Sequence, residues 1–284
     1  PTRNGAPVRR QLPVSALLLA AAVLLAGCGT DDDPGSAELS GAEPSITDGQ
    51  ALATTWPLTG LPASGADDVE QTHPVLVTKI DNTGSAAPQV GLSSADLVVE
   101  ELVEGGFTRL AVFYYSELPA QVGPVRSMRA TDIGIVSPVG GSIVTSGAAA
   151  RTKARLAEAG VRFFEEGADG ISRASDRVAP YNVMADLGAI AESASGDPVR
   201  PDDYLPWGSE EDLPQGRPAR TVNAVFSGGH TTSWVYRDGG YVNTDSNAGT
   251  GDQFPADSVL VLRVPVGDAG YLDPAGNPVP ETKL

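Results

Sequence analysis

The apolar positions of this chain come in short runs separated by glycine, proline and acidic turns. Residues 74–81, PVLVTKID, read as a buried strand that ends at the polar pair Asp81-Asn82. Residues 91–96, GLSSAD, read as a turn or helical start capped by Ser93 or Ser94. LVVEELVE and FTRLAVFYY flank Gly105-Gly106, which predicts a hairpin closed by a two-residue primed turn. That register sets Glu104 opposite Phe107, Leu102 opposite Arg109 and Glu100 opposite Ala111. Side chains alternate with period two, so Glu100, Glu104 and Arg109 would share one face. Val99, Val103, Leu110 and Val112 would share the core face, with Glu101 as its polar intruder.

Gly123-Pro124 marks a turn, and Ser127 is the predicted cap of a short helix carrying Arg129, Asp132 and Ile133. GSIVTSG (141–147) reads as a strand, 148–160 as a helix closed by Gly160, and VRFFEEG as a further short strand. A helix is expected from about Tyr181, with Leu187 and Ile190 on one side. Strands alternating with helices predict an α/β or α+β fold with a mixed sheet over 73–196. After a proline-rich acidic connector, 197–218, the runs RTVNAVFS, TSWVYRDGGYVNTD and DSVLVLRVPV predict a smaller, mostly β second domain over 219–284. Its last stretch, GYLDPAGNPVPETKL, has turn chemistry but no closing strand. A loose tail or an incomplete second domain is the expectation.

The N-terminus follows another pattern. Arg3, Arg9 and Arg10 precede a mostly apolar run over 12–26, and Leu25-Ala26-Gly27-Cys28 follows. A basic segment, an apolar segment and small residues at a cleavage point form a secretory signal. The run is shorter than the roughly 20 apolar residues of a comfortable membrane span. Cys28 is the one cysteine of the chain and stands at the cleavage point, the arrangement of a bacterial lipobox. The expected product is a lipoprotein whose Cys28 carries diacylglycerol and palmitate-type acyl chains. It would be held at the outer face of the cytoplasmic membrane. Residues 28–72 are rich in Asp, Ser, Gly, Ala and Pro and read as a flexible acidic tether. Trp56, Leu58 and Leu61 are expected to dock where it meets the folded part.

Charge then alters the picture. The whole chain is at −17, and loss of the three arginines in residues 1–27 takes it to −20. Such acidity excludes a general nucleic-acid binder, which needs a positive footprint. A single cysteine excludes a disulfide framework and a cysteine-based zinc site. Residues 28–104 hold one base, Lys79, against fourteen acids, whereas 105–177 hold nine bases against seven. Eight of those nine are arginines, including Arg109, Arg126, Arg129, Arg173 and Arg177. Planar guanidinium forks suit carboxylate and phosphate, so this stretch is a candidate anion pocket, or else its arginines pair with the domain's own acids. Arg126 and Arg129 are favoured because they flank a predicted helix start. Arg151 and Arg155, at i and i+4, read as a solvated face. Asp81, Glu100, Glu101, Glu104 and Asp132 are candidates for acid–base work or for a divalent cation. Asn82 and Asn182 are candidate polar partners. No phosphate loop, zinc-protease motif or nucleophile elbow is present, and only His73 and His230 are available to a histidine mechanism.

PLTGLP (57–62), VTKIDNTGSAAPQVGLSSADLVVEELVEGGFTRLAVFY (77–114), VGPVRSMRATD (122–132) and VAPYN (178–182) resemble the YerB-like bacterial lipoproteins, a domain-of-unknown-function family. The resemblance covers most of 57–264. It implies two domains behind a lipoprotein signal and an unassigned activity. Relatives often carry His where this chain has Tyr181. A looser resemblance in motif order, to cell-wall phosphotransferases of the LytR-CpsA-Psr type, implies arginines and acids around a polyprenyl pyrophosphate. Two functions follow as expectations. One is an envelope lipoprotein that binds a cell-wall component or protein partner through an arginine pocket. The other is an enzyme acting on a phosphorylated wall precursor, with Arg109, Arg126 and Arg129 on phosphate and Asp81, Glu104 or Asp132 holding a metal or proton.

Overall fold

A computed structural model describes residues 55–209, 212, 216–273 and 275–283. The signal, Cys28 and the tether up to residue 54 lie outside the described residues. Of the docking residues expected near the tether's end, Leu58 is buried and Leu61 is exposed. The Trp56 ring meets Tyr115 edge-on. A single helical turn, α1 (Ala66–Val69), follows.

Among the described residues the largest sheet has five strands in the order β2-β3-β1-β4-β5. They are β1 (Leu76–Asp81), β2 (Leu97–Leu102), β3 (Thr108–Tyr114), β4 (Ser142–Val144) and β5 (Phe163–Phe164). β2, β3 and β1 are antiparallel neighbours, whereas β1, β4 and β5 are parallel. This is the mixed sheet expected of an α/β fold. β1 and β3 are buried along their whole length, because both faces of the sheet are covered.

One face carries Leu76, Ile80, Leu110, Val112 and Tyr114 against Ile171, Val183, Leu187 and Ile190. Those last four come from the small sheet of β6 (Ile171–Arg173) with β7 (Val183–Ala185), and from α4 (Leu187–Ala194). The other face packs Val77, Ala111, Phe113 and Ile143 against Met128, Ile135, Val136 and Leu156. These are supplied by the segment entering α2 (Asp132–Val136) and by α3 (Ala150–Glu158). α3 crosses between parallel β4 and β5 and stops at Gly160, whose φ of 74° gives the left-handed exit predicted there.

Two expected helices begin later than predicted. Ser127 does not cap α2; the chain turns helical only at Asp132, after Thr131. Residues 183–185 pair as β7 before α4 starts at Leu187, where Asp186 caps the backbone N–H of Ala189. Leu92–Ser94 is one 3-10 turn without a side-chain cap; Ser93 instead bonds Asp252.

The hairpin departs from its predicted register by one residue. Val103 N–H donates to Phe107 O at 2.8 Å, leaving a three-residue loop, Glu104–Gly106. Gly105 and Gly106 both take positive φ, 72° and 77°, as a primed turn requires, but the loop holds one residue more than two. The slip sets Glu101, not Leu102, opposite Arg109. Glu101 and Arg109 therefore share a face with Val99 and Ala111, while Glu100 lies on the opposite face with Leu110.

The later residues form a three-stranded antiparallel sheet, β8 (Thr221–Ser227), β9 (His230–Arg237) and β10 (Gly240–Asn243), and a hairpin, β11 (Val266–Leu272) with β12 (Pro278–Thr282). Among the described residues the apolar run at 258–265 joins no strand, and strand pairing begins at Val266. The stretch expected to be a loose tail is the second half of a hairpin instead. That hairpin lies on α3. Glu281 pairs with Arg155, and the Tyr271 ring lies 5.7 Å from the Arg151 guanidinium. Arg155 thus docks the hairpin, whereas Arg151 stays on the solvated face expected of it, beside the Tyr271 ring. Among the described residues no helix is long and apolar enough to cross a membrane.

Candidate anion site at the end of the central strands

Asp81 ends β1, Arg109 begins β3 and Glu101 nears the end of β2, and the register aligns all three across the sheet on one face. Lys79 shares that face one turn of the pleat earlier. The segment 125–132 crosses over them. It is fixed by Arg126 N–H on Lys79 O at 2.8 Å and Met128 N–H on Gly147 O at 3.1 Å. This brings Arg126, Arg129 and Asp132 onto the same patch, with Glu104 reaching in from the hairpin loop.

Most of these charges are paired. Lys79 Nζ lies 2.7 Å from Asp132 Oδ1 and also contacts Glu101 Oε1. Glu104 takes a forked contact from Arg129, Nη2 to Oε2 at 2.6 Å, while Arg129 N–H donates to Asp132 Oδ2 at 2.6 Å. Arg126 Nε lies 2.9 Å from Asp81 Oδ2 in an ion pair whose angle is too poor for a hydrogen bond. Asp81 Oδ1 accepts from both Thr83 N–H and Thr83 Oγ1. Arg126 is partly exposed, stacks 5.4 Å from the Tyr181 ring and reaches Pro180 O.

Arg109 differs. Its residue is 8% exposed, and among the described residues it forms no ion pair. Its one hydrogen bond runs from Nη1 to Ser127 O at 2.7 Å. Asp81 and Glu101 flank it but are turned to Arg126 and Lys79. Burial, and then the charges of Arg129 and Arg126, hold its pKa down to about 10, with Glu104 and Asp81 opposing. A guanidinium has five N–H donors, and among the described residues one side-chain nitrogen of Arg109 is bonded to protein.

Glu101 is the counterpart. It shares one ammonium with Asp132, and its Oε2 is buried without a partner. Burial, then repulsion from Asp132, push its pKa up to about 7 against the pull of Lys79 and Arg109. The folded protein therefore holds this proton more tightly than the unfolded chain does. The contribution is fully favourable below the ordinary glutamate range and is lost as pH rises toward 7. Wild type should lose up to about 3 kcal/mol through this group between pH 4.5 and 7. Denaturant titrations of Glu101→Gln across that interval should lack this component of the slope.

A second cluster occupies the opposite face. Glu100 Oε1 accepts from Asn82 Nδ2 at 3.0 Å, Thr108 Oγ1 at 2.7 Å and Thr232 Oγ1 at 2.8 Å, and lies 3.1 Å from His230 Nε2. It ties β9 to the main sheet. Of the other predicted site residues, Arg173 is exposed and bound to Glu166 and Asn182. Arg177 bonds Ala86 O and Pro88 O. Neither joins the arginine patch. The candidate metal carboxylates are held by Arg126, Arg129, Lys79 or the Glu100 cluster, and among the described residues no three His, Cys, Asp or Glu side chains come together as metal ligands. A cleft of about 590 Å³ opens at the other end of the sheet, near Val75, Gly141 and Gly160, away from this chemistry. Sequence reasoning passed over Lys79, Tyr181 and the pairing of His230 with Glu100. The signal for Lys79 was available, since it is the one base in an acidic 77-residue stretch.

The model of a family described as "Protein of unknown function (DUF3048) N-terminal domain" matches residues 58–200. The chain belongs to the DUF3048 family. Every residue of the arginine patch lies within that DUF3048 span. The chain is also 47% identical over 73 residues to a Bacillus subtilis (strain 168) protein named "Putative lipoprotein YerB". That match spans 26% of this chain and 21% of the relative. The crystal structure of YerB protein from Bacillus subtilis has the same fold, with a TM-score of 0.54 at 24% identity. The superposition covers 64% of this chain and 63% of that one.

Proposed function

We propose that this protein is a lipid-anchored extracytoplasmic lipoprotein that binds an anionic group of a cell-envelope component through Arg109, Arg126 and Arg129. The observation that carries the binding is Arg109, a buried guanidinium that forms no ion pair among the described residues and lies beside two further arginines. Keeping such a charge desolvated is costly unless it meets an anion. Anchoring is supported by Leu25-Ala26-Gly27-Cys28 and by the lipoprotein name of the relative. Acyl chains on Cys28 would each add about 0.8 kcal/mol per buried methylene to membrane affinity.

The phosphotransferase reading needs Asp81, Glu104 or Asp132 for a metal or proton. Each is engaged by a cation of this chain, so binding is favoured over catalysis. Calorimetric titration of the full chain with sulfate tests the site. The Arg126→Ala/Arg129→Ala variant should bind at least about tenfold more weakly with its circular dichroism unchanged, and equal affinity would sink the assignment. Cys28→Ala should move the protein from the detergent phase to the aqueous phase on phase partitioning.

A further inference from the structure

Glu101 and Arg109 face each other directly across β2 and β3, yet they do not pair. Glu101 Oε1 is on Lys79, its Oε2 is buried without a partner, and Arg109 donates to a backbone carbonyl. Lys79 serves two carboxylates, so the group of Lys79, Glu101 and Asp132 carries one excess negative charge. That excess balances Arg109 at a distance rather than by contact. An anion arriving at Arg109 takes over the same role and places a second negative charge near Glu101.

We infer that anion binding at this site is coupled to proton uptake, with Glu101, where it is still ionised, taking up a proton as the anion docks on Arg109. This rests on the anion-binding reading above and adds to it the regulation of the same site. The surroundings supply both signs. Lys79 from β1 and Arg109 from β3 favour the charged form of Glu101, and Asp132 from α2 opposes it. Arg126 and Arg129 from the crossing segment act on Arg109 from one side, with Asp81 and Glu104 countering them. Asp273, in the turn between β11 and β12, interacts with Arg129. Glu101 already titrates at about 7, so a modest push from an anion completes its protonation under neutral conditions. By linkage, affinity must rise as pH falls through that range.

Sulfate is the probe, since it does not titrate near neutrality. The full chain is titrated calorimetrically at pH 7 in buffers of different ionisation enthalpy, and at pH 6 and 8. We expect an observed heat that varies with the buffer, reporting proton uptake, and affinity at least about fivefold tighter at pH 6 than at pH 8. Glu101→Gln should bind sulfate with neither dependence. Asp132→Asn removes the repulsion that raises Glu101 and should move the pH dependence lower. Sulfate binding with one heat in all buffers and one affinity at pH 6 and 8 would overturn the proton coupling while leaving the anion site standing. No sulfate binding at any pH would overturn both.

Discussion

Lys79→Met should destabilise the fold by about 3–5 kcal/mol at pH 8, the usual cost of breaking a buried ion pair by removing one partner. Lys79 is fully buried and, among the described residues, is the one cation paired with both Glu101 and Asp132. Without it, two buried carboxylates are left with no cation between them. The loss is electrostatic rather than steric, because methionine fills most of the lysine volume. Restoring neutrality tests this. The triple variant Lys79→Met/Glu101→Gln/Asp132→Asn should recover most of the lost stability, since neutral isosteres of a buried ion network cost little. The asparagine side chain of that variant keeps an oxygen for the Arg129 N–H. Urea unfolding of the single and triple variants measures the difference. A single variant within about 1 kcal/mol of wild type would mean that the network is unimportant for folding.

Arg109→Met should reduce sulfate affinity by about a hundredfold or more, as expected for the loss of two charge-assisted hydrogen bonds worth roughly 1.5–3 kcal/mol each. Arg109→Lys should recover only part of this, because an ammonium cannot present a fork. The stability effect should depend on pH. With Arg109 gone, the excess charge of Glu101 and Asp132 is unbalanced when Glu101 is ionised, so the variant should lose more stability at pH 8 than at pH 6. An arginine whose only role was to bond Ser127 O would show the reverse pattern: a pH-independent loss of stability and no change in binding.

The mixed α/β class, the strand at 74–81, the helix ending at Gly160 and the β character of residues 221–243 were legible because period and turn chemistry are local. The register at Gly105-Gly106 was not. Two glycines permit either a two- or a three-residue loop, and packing decides between them. Val99 and Ala111 are drawn to the Phe113 side of the sheet, and that choice exchanges Glu100 for Glu101 as the neighbour of Arg109. The concentration of arginines in 105–177 pointed to Arg109, Arg126 and Arg129, which do come together, but residue type could not say which guanidinium would be left without a carboxylate. Arg173 and Arg177 belong to the same charge run and lie elsewhere, bound to Glu166 and to backbone carbonyls. The run at 258–265 has every local mark of a strand, yet among the described residues it joins no sheet and only Pro265 O accepts a backbone bond, from Lys283 N–H, since pairing needs a partner edge as well as propensity.

The central claim is that Arg109 is held ready for an anion. Soaking crystals of the protein in selenate and locating selenium by anomalous scattering tests it most directly. A selenate is expected within hydrogen-bond distance of the Arg109 guanidinium, between Arg126 and Arg129, with Glu104 and Asp81 still on their own arginines. Selenate sites confined to exposed arginines such as Arg173, with none at Arg109, would contradict it.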